Sequence, residues 1–133
     1  MHKHNEHTCI ICTGSNFNAT HNISRLEELL HPLFPDILWG EAVETPAEHT
    51  GSSSPGITSA VYINRAAEFS TSLTLDELNS AFKEIEKKMG RTPGMRLQGI
   101  VPIDIDILIY DDSVVRPGDM KRNYVAEVLK RLP

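Results

Sequence analysis

Short apolar segments of strand character alternate with amphipathic helical segments in the order β-α-β-β-α-β, and one more helical segment closes the chain. That order is the split βαβ plan of ferredoxin-like folds. It predicts an α/β (α+β) sandwich with an antiparallel sheet, helices on one face and an additional C-terminal helix. Three features carry the prediction. Ile and Asp alternate from Ile103 to Ile107, apolar residues recur at helical spacing from Leu75 to Met89, and Gly, Pro, Ser and Asn cluster between such segments. A length of 133 residues suits one domain, 1–133, built round one core.

In chain order, residues 1–7 are polar and His-rich, with His2, His4 and His7, and read as a disordered tail. Thr8–Thr13 has the composition of a buried strand. Its Cys9 and Cys12 lie three apart, on opposite faces, so they read as small core residues and not as a disulfide or metal pair. Gly14-Ser15-Asn16 forms a turn into a first helix over 19–31, where Ile23, Leu26, Leu29 and Leu30 share a face and Pro32 ends the run. A second strand is expected over 37–43 and a Pro/Ser/Gly loop over 45–56. A long third strand over 58–71 carries Val61, Ile63, Ala67 and Phe69 on one side. Arg65 falls on that same side and suggests a bulge or a strand end.

The second helix has the clearest signals. Thr74 caps it, Asp76 and Glu77 suit its positive end, Lys87 and Lys88 suit its negative end, and Gly90 comes next. Residues 91–102 read as a long loop of the kind that usually serves function. The acidic strand, a turn at Asp111-Asp112-Ser113 and a last helix over 122–131 complete the chain.

The formal net charge of −5 argues against general nucleic-acid binding, although basic residues gather at 83–96 and 116–131, where a small anion can be met. No apolar run is long enough to span a membrane and the N-terminus lacks a signal-peptide core, so a cytoplasmic protein is expected. Within the acidic strand, Asp104 and Asp106 point to one face about 7 Å apart, opposite Ile103, Ile105, Ile107 and Ile109. Two neighbouring carboxylates repel, the more so when partly buried. A pair of Mg²⁺ ions held against nucleotide phosphates is the most economical way to relieve them.

Several segments together resemble one family, the 6-hydroxymethyl-7,8-dihydropterin pyrophosphokinases of folate biosynthesis. They are Gly14-Ser15-Asn16, Glu44-Thr45-Pro46, Tyr62-Ile63-Asn64, Ile85-Glu86 with Gly90-Arg91, Ile103 to Ile107, and Arg122-Asn123-Tyr124-Val125. The resemblance implies transfer of pyrophosphate from ATP to the pterin hydroxymethyl group, leaving AMP. It implies two Mg²⁺ at Asp104 and Asp106, and a pterin site of Thr45, Pro46, Tyr62, Asn64 and a stacking Tyr124. Nucleotide contacts would come from Glu86 and Arg122, and catalytic cations from Arg91 and Arg96. The expected partners are a pterin and ATP, with neither nucleic acid nor membrane.

The chain also departs from the family pattern. Where the family has Arg-Trp-Gly-Pro-Arg, it has Leu97-Gln98-Gly99-Ile100-Val101, and the family's Pro-His is absent around Pro117-Gly118-Asp119. The sequence ends at Pro133, short of the family's usual extension. Lys83, Arg96 and Arg116 are the basic residues available to replace the missing cations. The alternative is a non-catalytic pterin- or nucleotide-binding paralogue.

Overall fold

The computed structural model describes residues 6–46 and 61–133. Among them, six strands form one sheet: β1 (His7–Ser15), β2 (Leu38–Trp39), β3 (Val43–Pro46), β4 (Val61–Thr71), β5 (Asp104–Tyr110) and β6 (Ser113–Val114). The helices are α1 (Ala19–Leu30), α2 (Leu75–Lys88), the short α3 (Pro93–Leu97) and α4 (Asn123–Lys130). Strands run in the order β2-β4-β1-β5-β6, β3 also pairs with β4, and every pairing is antiparallel. This is the expected ferredoxin-like α/β arrangement.

One sheet face carries Cys9, Ile11, Ala67, Phe69, Ile103, Ile105 and Ile107, packed against α1 through Ile23, Leu26 and Leu30 and against α2 through Leu78, Phe82 and Ile85. The helices supply these residues because their apolar positions repeat at helical spacing. Thr74 begins α2 as expected: its side chain accepts from the Glu77 backbone N–H, and the Glu77 carboxylate accepts from Thr74 N–H. The opposite face is not wholly open. Val125 and Val128 of α4 cover Cys12, Ala66 and Leu108 in the middle of that face, and the end near Asp104 and Asp106 stays uncovered by α4. The two cysteines are free, buried and on opposite faces, and burial pushes each thiol up to about 12, far from thiolate chemistry.

Several local expectations are corrected. The bulge is not at Arg65, since β4 pairs with β1 without a break. Arg65 stays on the helix side because it has partners there: Nε donates to Gly40 O at 2.7 Å, Nη1 meets Glu27 Oε1 at 2.9 Å, and the guanidinium lies over the Trp39 ring. The irregularity falls instead on β5, where Ile10 pairs with Ile109 but Ile11 pairs with Ile107. Leu108 is the extra residue, and it reverses the facing of the two residues after it. Ile109 therefore joins the α4 side and Tyr110 the helix side, contrary to the simple alternation.

The expected second strand divides into β2 and β3, so Thr45 and Pro46 lie in a strand and not in a loop; the remainder of that loop and residues 58–60 are outside the described residues. His7 is the first residue of β1 and not part of a tail: its ring stacks on Tyr110 and its Nδ1 lies 2.9 Å from Asp111 Oδ2. Residues 1–5 of the expected tail are outside the described residues. The 91–102 segment contains α3.

Candidate active site

Register sets the floor of the site. Across four strands, Val43, Asn64, Gly14 and Asp104 stand opposite one another, with Thr45 opposite Tyr62 and Cys12 opposite both Ala66 and Asp106. Directly paired residues share a face, so the amide of Asn64 and the two carboxylates look out on the same side, separated by a residue with no side chain. Gly14 is required there: a Cβ would come within 2.5 Å of the Tyr62 ring and 2.7 Å of Asn64 Oδ1. Next to it, the Ser15-Asn16 turn holds the segment leading into β5. Asn16 Nδ2 donates to Gly99 O at 2.8 Å, Asn16 Oδ1 accepts from Val101 N–H at 2.7 Å, and the backbone N–H of Asn16 donates to Val101 O.

Opposite charges bracket the acid pair. Arg91 Nη1 lies 2.8 Å from Asp104 Oδ1 and 3.1 Å from Glu86 Oε2, and it donates to Ile103 O. Glu86 Oε2 also accepts from Ile105 N–H at 2.8 Å, tying α2 to β5. Burial raises the Glu86 pKa, against the opposing effects of that hydrogen bond and of Arg91. On the other side, Arg116 Nη1 is 3.5 Å from Asp106 Oδ1 and its Nε is 2.6 Å from Asp119 Oδ2, while Arg122 Nε is 3.8 Å from Asp119 Oδ1. Burial, then the charge of Asp104 and a hydrogen bond shared with it, push the Asp106 carboxyl up to about 7. The Tyr62 phenol is also raised, by burial and then by Asp104, and stays protonated at neutral pH.

These residues line one cavity of about 1310 Å³, larger than a single small-molecule site needs. It brings together Thr45, Tyr62, Asn64, Glu86, Arg91, Asp104, Asp106, Arg122 and Tyr124, all singled out in the sequence. Pro46 pairs with Val61 at the end of β3, and Arg96 belongs to α3; their side chains are outside the described residues. Glu86 is engaged with Arg91 and β5, so it acts on the cavity by placing them.

Asn79, Lys87 and Asp119 also line the cavity, and sequence reasoning did not single them out. Lys87 had a signal: it sits four residues from both Lys83 and Arg91, a spacing that keeps helical residues on one face. Asp119 had none, because its value lies in holding Arg116 and Arg122.

Asp104 and Asp106 are hard oxygen donors on one face of one strand, and burial together with the neighbouring Asp104 charge raises the Asp106 carboxyl. That donor set fits Mg²⁺. Among the described residues no three His, Cys, Asp or Glu side chains gather to hold a metal, so ligand oxygens and water would complete its shell. Nor is any helix among the described residues long and apolar enough to cross a membrane.

Comparison with known proteins agrees with this geometry. The chain is 49% identical over 55 residues to the "Folate synthesis bifunctional protein, mitochondrial" of Pisum sativum, a match covering 41% of this chain and 10% of that relative. The family model for 7,8-dihydro-6-hydroxymethylpterin-pyrophosphokinase (HPPK) matches residues 10–133, which span the whole sheet from Ile10 onward, the acid pair and α4. The chain belongs to the HPPK family.

Proposed function

We propose that the protein transfers pyrophosphate from ATP to 6-hydroxymethyl-7,8-dihydropterin, a step of folate biosynthesis. The pterin hydroxyl oxygen forms a bond to the β-phosphorus and releases its proton to water, the bond from that phosphorus to the α–β bridging oxygen breaks, and AMP leaves. The observation that carries the reading is the row Asn64–Gly14–Asp104, which sets an amide-lined pocket directly beside the acid pair.

Each residue has a defined task in this reading. Asn64, 3% exposed, offers a donor and an acceptor to the pterin edge. Tyr62 remains a neutral phenol beside it, Thr45 closes the strand side, and Tyr124 presents a ring at the start of α4. Asp104 and Asp106 would hold Mg²⁺, which neutralises polyphosphate charge when bound. Arg91 faces the same space and, with Arg122, supplies fixed positive charge; such groups act by positioning and electrostatics, which dominate phosphoryl transfer.

The test is incubation with Mg²⁺, ATP and the hydroxymethyl pterin, with AMP as readout. AMP release that disappears in Asp104→Ala supports the reading. Tight binding of pterin or ATP without AMP favours a binding paralogue, a reading motivated by Leu97-Gln98-Gly99-Ile100-Val101, with Leu97 exposed, standing where the family has Arg-Trp-Gly-Pro-Arg.

A further inference from the structure

We propose that Arg116 is a nucleotide-phosphate ligand parked on Asp106, so that a divalent cation and the polyphosphate enter the site together and a bare cation binds poorly. The inference rests on the pyrophosphokinase reading and adds to it a residue that the family motifs leave without a role. Arg116 comes after β6, in a segment that lacks the family's Pro-His, and its side chain is 51% exposed within the cavity wall.

Its guanidinium is held at one end and loose at the other. The 2.6 Å contact from Nε to Asp119 Oδ2 is short and charge-assisted, whereas the 3.5 Å approach of Nη1 to Asp106 Oδ1 is a long ion pair. The fork can therefore turn its Nη atoms from Asp106 to a phosphate while Nε stays on Asp119. Arg91 does the equivalent for Asp104 at 2.8 Å. Both carboxylates that suit a metal thus already have an arginine against them. A bare cation must displace those contacts and leave the guanidiniums without anions. A cation arriving with phosphates displaces the same contacts but provides new acceptors. The two ligands are then positively coupled, and coupling is reciprocal: each raises the affinity of the other by the same factor, commonly about 5–150-fold.

The experiment measures free Mn²⁺ by its electron paramagnetic resonance signal, with and without a non-hydrolysable ATP analogue, in wild type, Arg116→Ala and Lys87→Ala. Lys87 lines the same cavity but pairs with Glu84, so its loss controls for net charge alone. Arg116→Ala is expected to bind bare Mn²⁺ roughly tenfold more tightly than wild type and the analogue with Mn²⁺ more weakly, with a reduced coupling factor. Lys87→Ala is expected to change bare Mn²⁺ binding much less. Unchanged or weaker bare Mn²⁺ binding in Arg116→Ala overturns the proposal, as does an equal gain in Lys87→Ala or no Mn²⁺ binding by any of the three. The bare-ion arm needs neither nucleotide nor pterin. A failure of the pyrophosphokinase reading, seen as no analogue binding and no AMP from wild type, is therefore distinguishable from a failure of this one.

Discussion

Arg91 Nη1 stands 2.8 Å from Asp104 Oδ1 while the same nitrogen meets Glu86 Oε2 at 3.1 Å, so one guanidinium joins the end of α2 to the start of β5. Gly90, in the left-handed region at φ 99°, turns the chain out of α2 just before it. Removing the side chain leaves the part-buried carboxylates of Glu86 and Asp104 without the guanidinium they share. Hydrogen bonds to charged groups contribute about 1.5–3 kcal/mol, and for a chain of this size 1 kcal/mol moves Tm by about 4 °C. Arg91→Ala should therefore melt about 6–12 °C below wild type by calorimetry and lose most turnover. Arg91→Lys, which keeps the charge but not the fork, should recover only part of the Tm. An unchanged Tm in Arg91→Ala would show that the bridge adds nothing to the fold.

Gly14 offers a way to perturb the pterin side without removing a polar group. A methyl group there meets Tyr62 Cε1 at 2.5 Å and Asn64 Oδ1 at 2.7 Å, so both side chains must move off their positions. Gly14→Ala is expected to raise the pterin KM at least tenfold while leaving ATP affinity within about twofold, since displacement of order 1 Å from a productive geometry costs on the order of 10²-fold. Equal losses for both substrates would point to general misfolding of the sheet.

The capping box of α2 is remote from the chemistry and tests stability alone. Thr74→Ala deletes the acceptor for Glu77 N–H and releases the reciprocal contact. The loss of such a cap costs about 1 kcal/mol, read as a lower urea midpoint with an unchanged slope. Turnover per folded molecule should not change.

Much of this architecture is legible in the sequence because local and global signals agree. Thr74, Glu77 and the apolar stripe of α2 all specify one helix, and the alternation over Ile103–Ile107 specifies which face of β5 is buried. The acid pair is legible for the same reason: carboxylates at i and i+2 of an otherwise apolar strand have no packing role. The features hidden in the sequence depend on partners distant along the chain. Arg65 looks misplaced until Glu27, Gly40 and Trp39 are brought to it. The bulge at Leu108 arises from how β1 and β5 align, which no local propensity encodes. Arg116 is ambiguous in sequence because its meaning lies in two acids, one ten residues before it and one three after.

Asp106 should make stability depend on pH. Burial and Asp104 raise its folded-state carboxyl from an ordinary value near 3.8 to about 7. Between those values the folded protein keeps a proton that the unfolded chain releases, so stability from this group is full below about pH 4 and is lost as pH rises through 7. Asp106→Asn keeps the shape and hydrogen-bonding capacity but cannot ionise. Its Tm without metal should match wild type near pH 4 and exceed it progressively from about pH 5 to 8. Added Mg²⁺ with nucleotide should reverse the ranking at about pH 8, because wild type then gains a cation where the variant has lost a ligand. A difference in Tm that is constant from about pH 4 to 8 would mean that Asp106 ionises alike in the folded and unfolded chain. The crowding of the two carboxylates would then be relieved by Arg91 and Arg116 alone.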